Sequence, residues 1–406
     1  MAGRGMRKVR RALGWLIAGL LPLLVVLWYL SLPDRPDVFY SAPLPSPSTP
    51  GQLLRVEAFG REIPAGARGL RILYTTRRGD GTAALASAIV LAPKSTPSDP
   101  MPVIAWTHGT TGVAQGCAPS LLDHPFDNVP AVADVIAKGW TFVATDYVGQ
   151  GTPGVHGYML GVDEARAALD AVRAARRIDD VKLASQVVVW GHSQGGHAAL
   201  WTGSVAAGYA PELSILGVAG LAPASDLPGL VANAQASVIG KLLSSYLVVA
   251  YSAAYPDVRV HEVVRPGARL LTRDMARRCL AGQRTLASIG EALLLSGPIF
   301  RGDPTQGAFG ERLRQNDPQE PIAAPVLIAQ GSQDDLVLPS LQDAYVARRC
   351  ASGQRIDYRK YLGRDHLTLV AADSPLVPDL IRWSEDRFRG TAAGNECLSP
   401  PSAATP

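Results

Sequence analysis

Ser193 stands in the run Gly191-His192-Ser193-Gln194-Gly195-Gly196. A serine hydroxyl is a weak nucleophile until a base takes its proton, so the run has meaning only with partners. With 40 glycines in the chain, chance alone can supply G-x-S-x-G. The flanks supply what chance does not. Val187-Val188-Val189-Trp190 enters as a buried strand and Gly196-His197-Ala198-Ala199-Leu200-Trp201 leaves as a helix. A sharp strand-to-helix turn of this kind holds a serine in a strained position with its hydroxyl exposed, whereas an ordinary turn serine has no such setting.

The base and acid are expected after later strands, in the chain order serine, acid, histidine. Of seven histidines, His366 alone lies late, just after an alternating strand at residues 355–362. His192 and His197 adjoin the serine, but the turn directs them away from its hydroxyl, so packing or capping is expected of them. His124, His156 and His261 lie in loop-like surroundings without an evident partner. Asp334 and Asp335 both follow the apolar strand at residues 325–329. The position about three residues after the glycine of this loop selects Asp334. Asp335 then reads as solvated or as a helix cap. The carboxylate would accept from the histidine and stabilise the imidazolium without taking the proton. A third element is His108-Gly109-Thr110-Thr111-Gly112, directly after the strand at residues 102–107. Such a loop offers a backbone N–H to a developing oxyanion, here from Thr110 first and Thr111 as the alternative, with the amide of Gln194 as the second donor. The Asp146–Gly151 turn reads as structural. Together these residues predict ester cleavage through an acyl-enzyme on Ser193.

Elements of the right kind surround them. Residues 70–76 and 84–91 predict an antiparallel hairpin, with Asp80-Gly81 in its turn. Apolar runs at 102–107, 140–146, 186–190, 215–221 and 325–329 predict buried strands. Between them, Ala165, Leu169, Val172 and Ala175 form a helical stripe within residues 163–178. A second helix is expected at 129–138, with Asn128 as cap, Pro130 in the first turn and Gly139 at the close. The alternation predicts an α/β fold with a mostly parallel central sheet and helices on both faces. Residues 228–320 break the rhythm with helical patterns alone (232–251, 270–282, 288–296). They read as an inserted helical cap over the substrate pocket, dividing the core into residues 37–227 and 321–406.

The amino terminus has a different character. Arg4, Arg7, Lys8, Arg10 and Arg11 precede an apolar run at residues 12–32, and these five cations exceed the whole chain's formal charge of +4. A basic stretch before an apolar one is an export signal. Its length reaches the ~20 residues that span a bilayer, so residues 1–36 read as a cleaved signal or a retained anchor, and residues 12–32 as the means of any membrane association. Secreted, periplasmic and anchored locations all follow from this pattern. Residues 33–50, rich in Pro and Ser, read as an extended linker. A near-neutral body gives no electrostatic reason to expect nucleic-acid binding, and none is predicted. With 47% hydrophobic and 18% charged residues, wholesale disorder is excluded. Cys117, Cys279, Cys350 and Cys397, widely spaced in an exported chain, predict two disulfides, and spacing leaves all three pairings open.

The chain resembles the α/β-hydrolases, and among them the secretory lipase family of the yeast lipase A type. The likeness rests on Asp37-Val38-Phe39-Tyr40 with Pro50-Gly51, on Cys117-Ala118-Pro119-Ser120, on Leu169-Asp170-Ala171-Val172-Arg173-Ala174 and on Tyr209-Ala210-Pro211-Glu212-Leu213. It spans residues 37–397. The elbow carries His192 where fungal members tend to have tyrosine. The resemblance implies a triad of Ser193, Asp334 and His366, and an acyl-binding tunnel in the cap. It also implies lipid or other carboxylic-ester substrates, no metal or organic cofactor, and the pairs Cys117–Cys279 and Cys350–Cys397. A short-chain esterase, an acyltransferase on the same triad and a non-catalytic binding protein are the competing readings.

Overall fold

The computed structural model describes residues 22, 25–26, 28–95, 99–282, 285–395 and 397. Strands β1 (Leu53–Phe59), β2 (Ala67–Arg77), β3 (Ala83–Pro93), β4 (Met101–Thr107), β5 (Thr141–Val148), β6 (Leu183–His192), β7 (Ser214–Leu221), β8 (Val326–Gly331) and β9 (Ile356–Tyr361) form one sheet. Its order is β1-β2-β3-β5-β4-β6-β7-β8-β9. Pairings are antiparallel from β1 to β5 and parallel from β5 through β4 to β9. The expected hairpin is present, with Leu70 opposite Val90. Parallel strands covered on both faces need apolar side chains throughout, and every residue of β5 and β8 is buried.

Helix α1 (Val132–Ala137) lies on one face of the sheet, and α2 (Gly161–Ala175) and α3 (Gln194–Tyr209) on the other. Among the described residues, six α-helices then run between β7 and β8: α4 (Leu227–Ala234), α5 (Val238–Ala254), α6 (Val260–Val263), α7 (Arg269–Met275), α8 (Thr285–Leu294) and α9 (Gly307–Gln315). Among the described residues this stretch holds no strand. Its apolar side chains, Leu242, Tyr251, Phe300 and Phe309 among them, gather in a core of their own with Tyr158. Helix α10 (Pro339–Ala351) joins the face of α2 and α3, and α11 (Leu376–Phe388) that of α1.

Several expected boundaries move. Residues 232–251 divide into two helices because Ser237 caps α5, its hydroxyl accepting from the Gly240 amide at 3.0 Å. Helix α1 starts at Val132, and Asn128 is not its cap. Asn128 and Ala131 both sit at φ 59°, and Ala131 at the start has no side chain to accept a hydrogen bond. Gly139 does close it, at φ 77°. Strand β1 lies at the sheet edge and its burial does not alternate along the strand, so no period-2 pattern marks it in the sequence. Residues 33–50 do not run free. Phe39 and Tyr40 are buried, and the Tyr40 hydroxyl lies 2.8 Å from that of Ser120. Most of the apolar leader lies outside the described residues. Among the described residues no helix is long and apolar enough to cross a membrane.

The structure pairs Cys117 with Cys279 and Cys350 with Cys397. The first bond closes a loop across 162 positions and ties the loop after β4 to the segment after α7. Closing so long a loop limits the unfolded chain, a stabilisation of about 4–5 kcal/mol in the chain-entropy account. Leu280 N–H donates to the Thr111 carbonyl at 2.7 Å beside the same bond.

Candidate active site

The order of strands reverses at β4, since β5 lies on one side of it and β6 on the other. In such sheets the crevice at the carboxyl ends of the strands is the natural ligand site. All the residues singled out from the sequence follow carboxyl ends there: Thr110 after β4, Ser193 after β6, Asp334 after β8 and His366 after β9.

Ser193 caps α3 at φ 59° and ψ −119°, a region that non-glycine residues occupy only under strain. Its own backbone fixes it there. The amide donates to the Leu221 carbonyl at 2.9 Å and the carbonyl accepts from Ala224 at 3.1 Å. The flanking glycines are there for space. A Cβ on Gly191 would lie 2.0 Å from the Gly195 carbonyl oxygen, and one on Gly195 would lie 1.9 Å from that of Thr107. The serine hydroxyl is left facing the crevice, 2.9 Å from His366 Nε2.

His366 Nδ1 in turn lies 2.8 Å from Asp334 Oδ2. The Asp334 side chain is fully buried, so its charge needs donors. It has three besides the histidine. Oδ1 accepts from the Leu336 and Val337 amides at 3.0 and 2.7 Å, and Oδ2 accepts from Gln330 Nε2 at 3.1 Å. Asp335 lies on the wall of the crevice and makes no such bond to the histidine. The turn holding His366 is shaped by Asp365, whose Oδ1 accepts from the Leu367 and Thr368 amides at 3.0 and 2.7 Å. Those bonds with Thr368 hold its carboxyl below the usual carboxylate range.

His192 packs, as expected of it, but with a purpose the sequence did not reveal. Its Nε2 donates to the His366 carbonyl at 2.9 Å, and the two rings lie 4.7 Å apart. Burial pushes its pKa down to about 3, so it is neutral under ordinary conditions. His197 is buried with Nε2 donating to the Asn316 carbonyl at 2.7 Å. His124 sits at the surface beside Glu62, and His261 is exposed.

The loop after β4 runs beside Ser193. A Cβ on Gly109 would come within 3.8 Å of the Ser193 Cβ. Thr110 holds its hydroxyl 2.8 Å from that of Tyr158. Thr111 is tied away, its carbonyl to Leu280 and its hydroxyl to Gln150 Nε2 at 2.9 Å. The Gln194 amide heads α3, where the first turn of a helix has N–H groups without intrahelical partners. Asp146 lies farther back as an anchor. It is buried and accepts from the hydroxyls of Ser87 and Ser120, both at 2.6 Å.

Behind Gln194 lies a polar cluster that sequence reasoning missed. Glu164 is buried on α2 and accepts from Gln194 Nε2 at 2.6 Å and from the Met159 amide at 3.1 Å, with His197 Nδ1 at 3.4 Å. Gln194 Nε2 also donates to His156 Nε2 at 3.2 Å, whose Nδ1 faces the Val148 carbonyl. Burial raises the pKa of Glu164 and lowers that of His156 to about 3. One signal was available: Glu164, Ala168, Ala171 and Ala175 fall on one helical stripe, and all four are buried. Glu164→Ala is expected to lower stability by about 2–4 kcal/mol, because it strands buried donors on Gln194 and Met159. A urea-midpoint comparison with the wild type measures this.

The crevice encloses ≈ 1470 Å³ and is bounded by Ser193 and His366 on the sheet side and by Leu286 and Leu294 of α8 on the other. It exceeds the ~300–1,000 Å³ of ordinary small-molecule sites. Among the described residues no group of three His, Cys, Asp or Glu side chains could hold a metal ion.

The model of the secretory lipase family matches residues 127–396. The chain belongs to the secretory lipase family. Membership places it among carboxylic ester hydrolases. A probable inactive lipase of Mycobacterium tuberculosis (strain CDC 1551 / Oshkosh) is 25% identical over 87% of this chain and 82% of its own length. Lipase A of Moesziomyces aphidis is 26% identical over 90% and 82%. Among solved structures, Candida antarctica lipase A shares the fold with a TM-score of 0.73 at 22% identity, covering 90% of this chain and 88% of that one. The expected α/β-hydrolase architecture therefore holds for this family member, whose antiparallel strands are confined to one flank of the sheet.

Proposed function

We propose that this secretory lipase family chain is an exported lipase that cleaves lipid esters through an acyl-enzyme on Ser193. The observation that carries the reading is the unbroken relay from Ser193 Oγ to His366 Nε2 at 2.9 Å and from His366 Nδ1 to Asp334 Oδ2 at 2.8 Å. His366 takes the serine proton as Oγ attacks the ester carbonyl carbon. The carbonyl oxygen becomes an oxyanion facing the amides of Gln194 and the Thr110 loop, and such donors lower a barrier by ~2.7–4 kcal/mol each. The tetrahedral species collapses, the C–O bond to the alcohol breaks, and His366 returns the proton to the leaving alkoxide. Water, deprotonated by the same nitrogen, then attacks the acyl-serine and releases the acid. Asp334 stays ionised and steadies the imidazolium.

Residues 228–320 act as the cap in this reading. The leucines of α8 give the crevice an apolar wall suited to an acyl chain. The disulfides and the secreted lipases among its relatives, such as the secreted triacylglycerol lipase LIP7 of Malassezia globosa, support export. The leader at residues 12–32 serves as the export signal.

Rapid mixing with p-nitrophenyl esters of increasing chain length tests the proposal. A burst of p-nitrophenol equal to the enzyme concentration, with kcat/KM rising with chain length, is expected. A chain that cleaves only short esters is an esterase and not a lipase. A folded chain with no turnover of any ester refutes the enzymatic reading, a real alternative given the relative described as inactive.

A further inference from the structure

The last residues of the leader and the first of the following segment, 28–34, do more than connect. Trp28 Nε1 donates to Asp274 Oδ2 of α7 at 2.7 Å, and its ring lies 5.6 Å from the Arg278 guanidinium. Ser31, almost fully buried, accepts from Arg278 Nε at 2.7 Å. Arg278 is wholly buried, so every one of its donors needs a partner. Its remaining nitrogens go to Asp274 Oδ2 at 2.7 Å and Glu291 Oε1 at 2.9 Å. The segment thus supplies the last partner to a guanidinium buried between α7 and α8. Three residues on, the chain presses against Gly116. A Cβ there would lie 2.1 Å from the Asp34 carbonyl oxygen and 2.8 Å from the Pro33 Cβ. Gly116 neighbours Cys117, whose disulfide partner Cys279 follows Arg278, so both contacts seat the segment on one piece of structure. Trp28, Leu30 and Ser31 line the same crevice as Ser193 and His366.

We propose that residues 28–34 remain attached in the working enzyme and form one wall of the crevice, where Trp28 and Leu30 meet the acyl chain. Any removal of the export signal then occurs before Trp28. A cut near residue 36, at the boundary the sequence suggests, would take away Trp28 and Ser31, leave Arg278 Nε without its Ser31 partner and open the crevice along that side. The acyl-wall role rests on the lipase reading of the crevice; the docking of the segment does not.

Two measurements on the full chain, expressed in an exporting host and recovered from membrane and medium, test this. The first is the intact mass and amino-terminal sequence of the material that labels with a fluorophosphonate probe. A start at or before residue 28 is expected. A start after Trp28 in protein that hydrolyses p-nitrophenyl laurate overturns the proposal. The second is Trp28→Ala. It is expected to lower kcat/KM for p-nitrophenyl laurate about 10-fold, mainly through KM, and to leave p-nitrophenyl acetate within about twofold of wild type. An unchanged laurate-to-acetate ratio, in a variant with an unaltered urea midpoint, overturns the wall. A wild type that cleaves neither ester removes the lipase reading and the wall with it, while the amino-terminal mass still decides whether the segment is retained.

Discussion

Ser193→Ala is expected to fold as the wild type does and to lower kcat for p-nitrophenyl esters by about 10⁴–10⁶-fold. The side chain has one partner, His366 Nε2, and the elbow is held by backbone bonds to Leu221 and Ala224. Removing the hydroxyl is therefore expected to remove the chemistry and leave the architecture. His366→Ala should cost about as much, and the double variant no more than either single one, because the groups act as a unit. Asp334→Asn should lose about 10⁴-fold, since an amide in place of the carboxylate favours the wrong imidazole tautomer. Asp335→Asn should leave kcat within about twofold of wild type, because Asp335 has no bond to the histidine. Steady-state kinetics on purified variants, each checked by its urea midpoint, decide these outcomes. A loss at Asp335 matching that at Asp334 would reverse the assignment of the acid.

The largest effect on stability is expected at Gly195. An added methyl would sit 1.9 Å from the Thr107 carbonyl oxygen and 2.6 Å from its carbonyl carbon. Both belong to the backbone of a central strand, which cannot give way as a flexible side chain can. The Thr107 hydroxyl also donates to the Gly195 carbonyl at 2.7 Å, so separating the two would break that bond. Overpacking commonly costs about 1–3 kcal/mol, and with rigid backbone on one side about 3–5 kcal/mol is expected for Gly195→Ala. The check is the urea midpoint, or the soluble yield if the variant fails to fold. A variant as stable as wild type would mean that β4 and the elbow are farther apart than described.

The sheet and the chemistry-bearing turns were legible because each rests on a local signal. Buried parallel strands are short apolar runs, and the elbow is a strand, a serine between glycines and a helix. His366 could be read because its place in the chain is set by the order of the fold. Asp334 is preferred to Asp335 in the sequence only for its distance from Gly331, and the three donors around it in the structure come from residues that carry no mark in the sequence. Contacts across long stretches of chain were not legible. Glu164 meets Gln194 through the packing of α2 on α3, and Ser31 meets Arg278 across 247 positions. Neither involves a pattern of period or composition. The start of α1 was misjudged for a local reason, since Asn128 adopts the left-handed conformation itself and does not cap. Residues 33–50 were read as a linker from proline and serine content, which says nothing of the burial of Phe39 and Tyr40.

The proposed chemistry rests on Ser193 being an activated nucleophile. Incubation of the wild type and Ser193→Ala with a fluorophosphonate probe, followed by intact mass and peptide mapping, tests it most directly. One adduct per wild-type chain, mapped to Ser193 and missing from the variant, is predicted. Folded wild-type protein that takes up no probe, or takes it up at another residue, would contradict it.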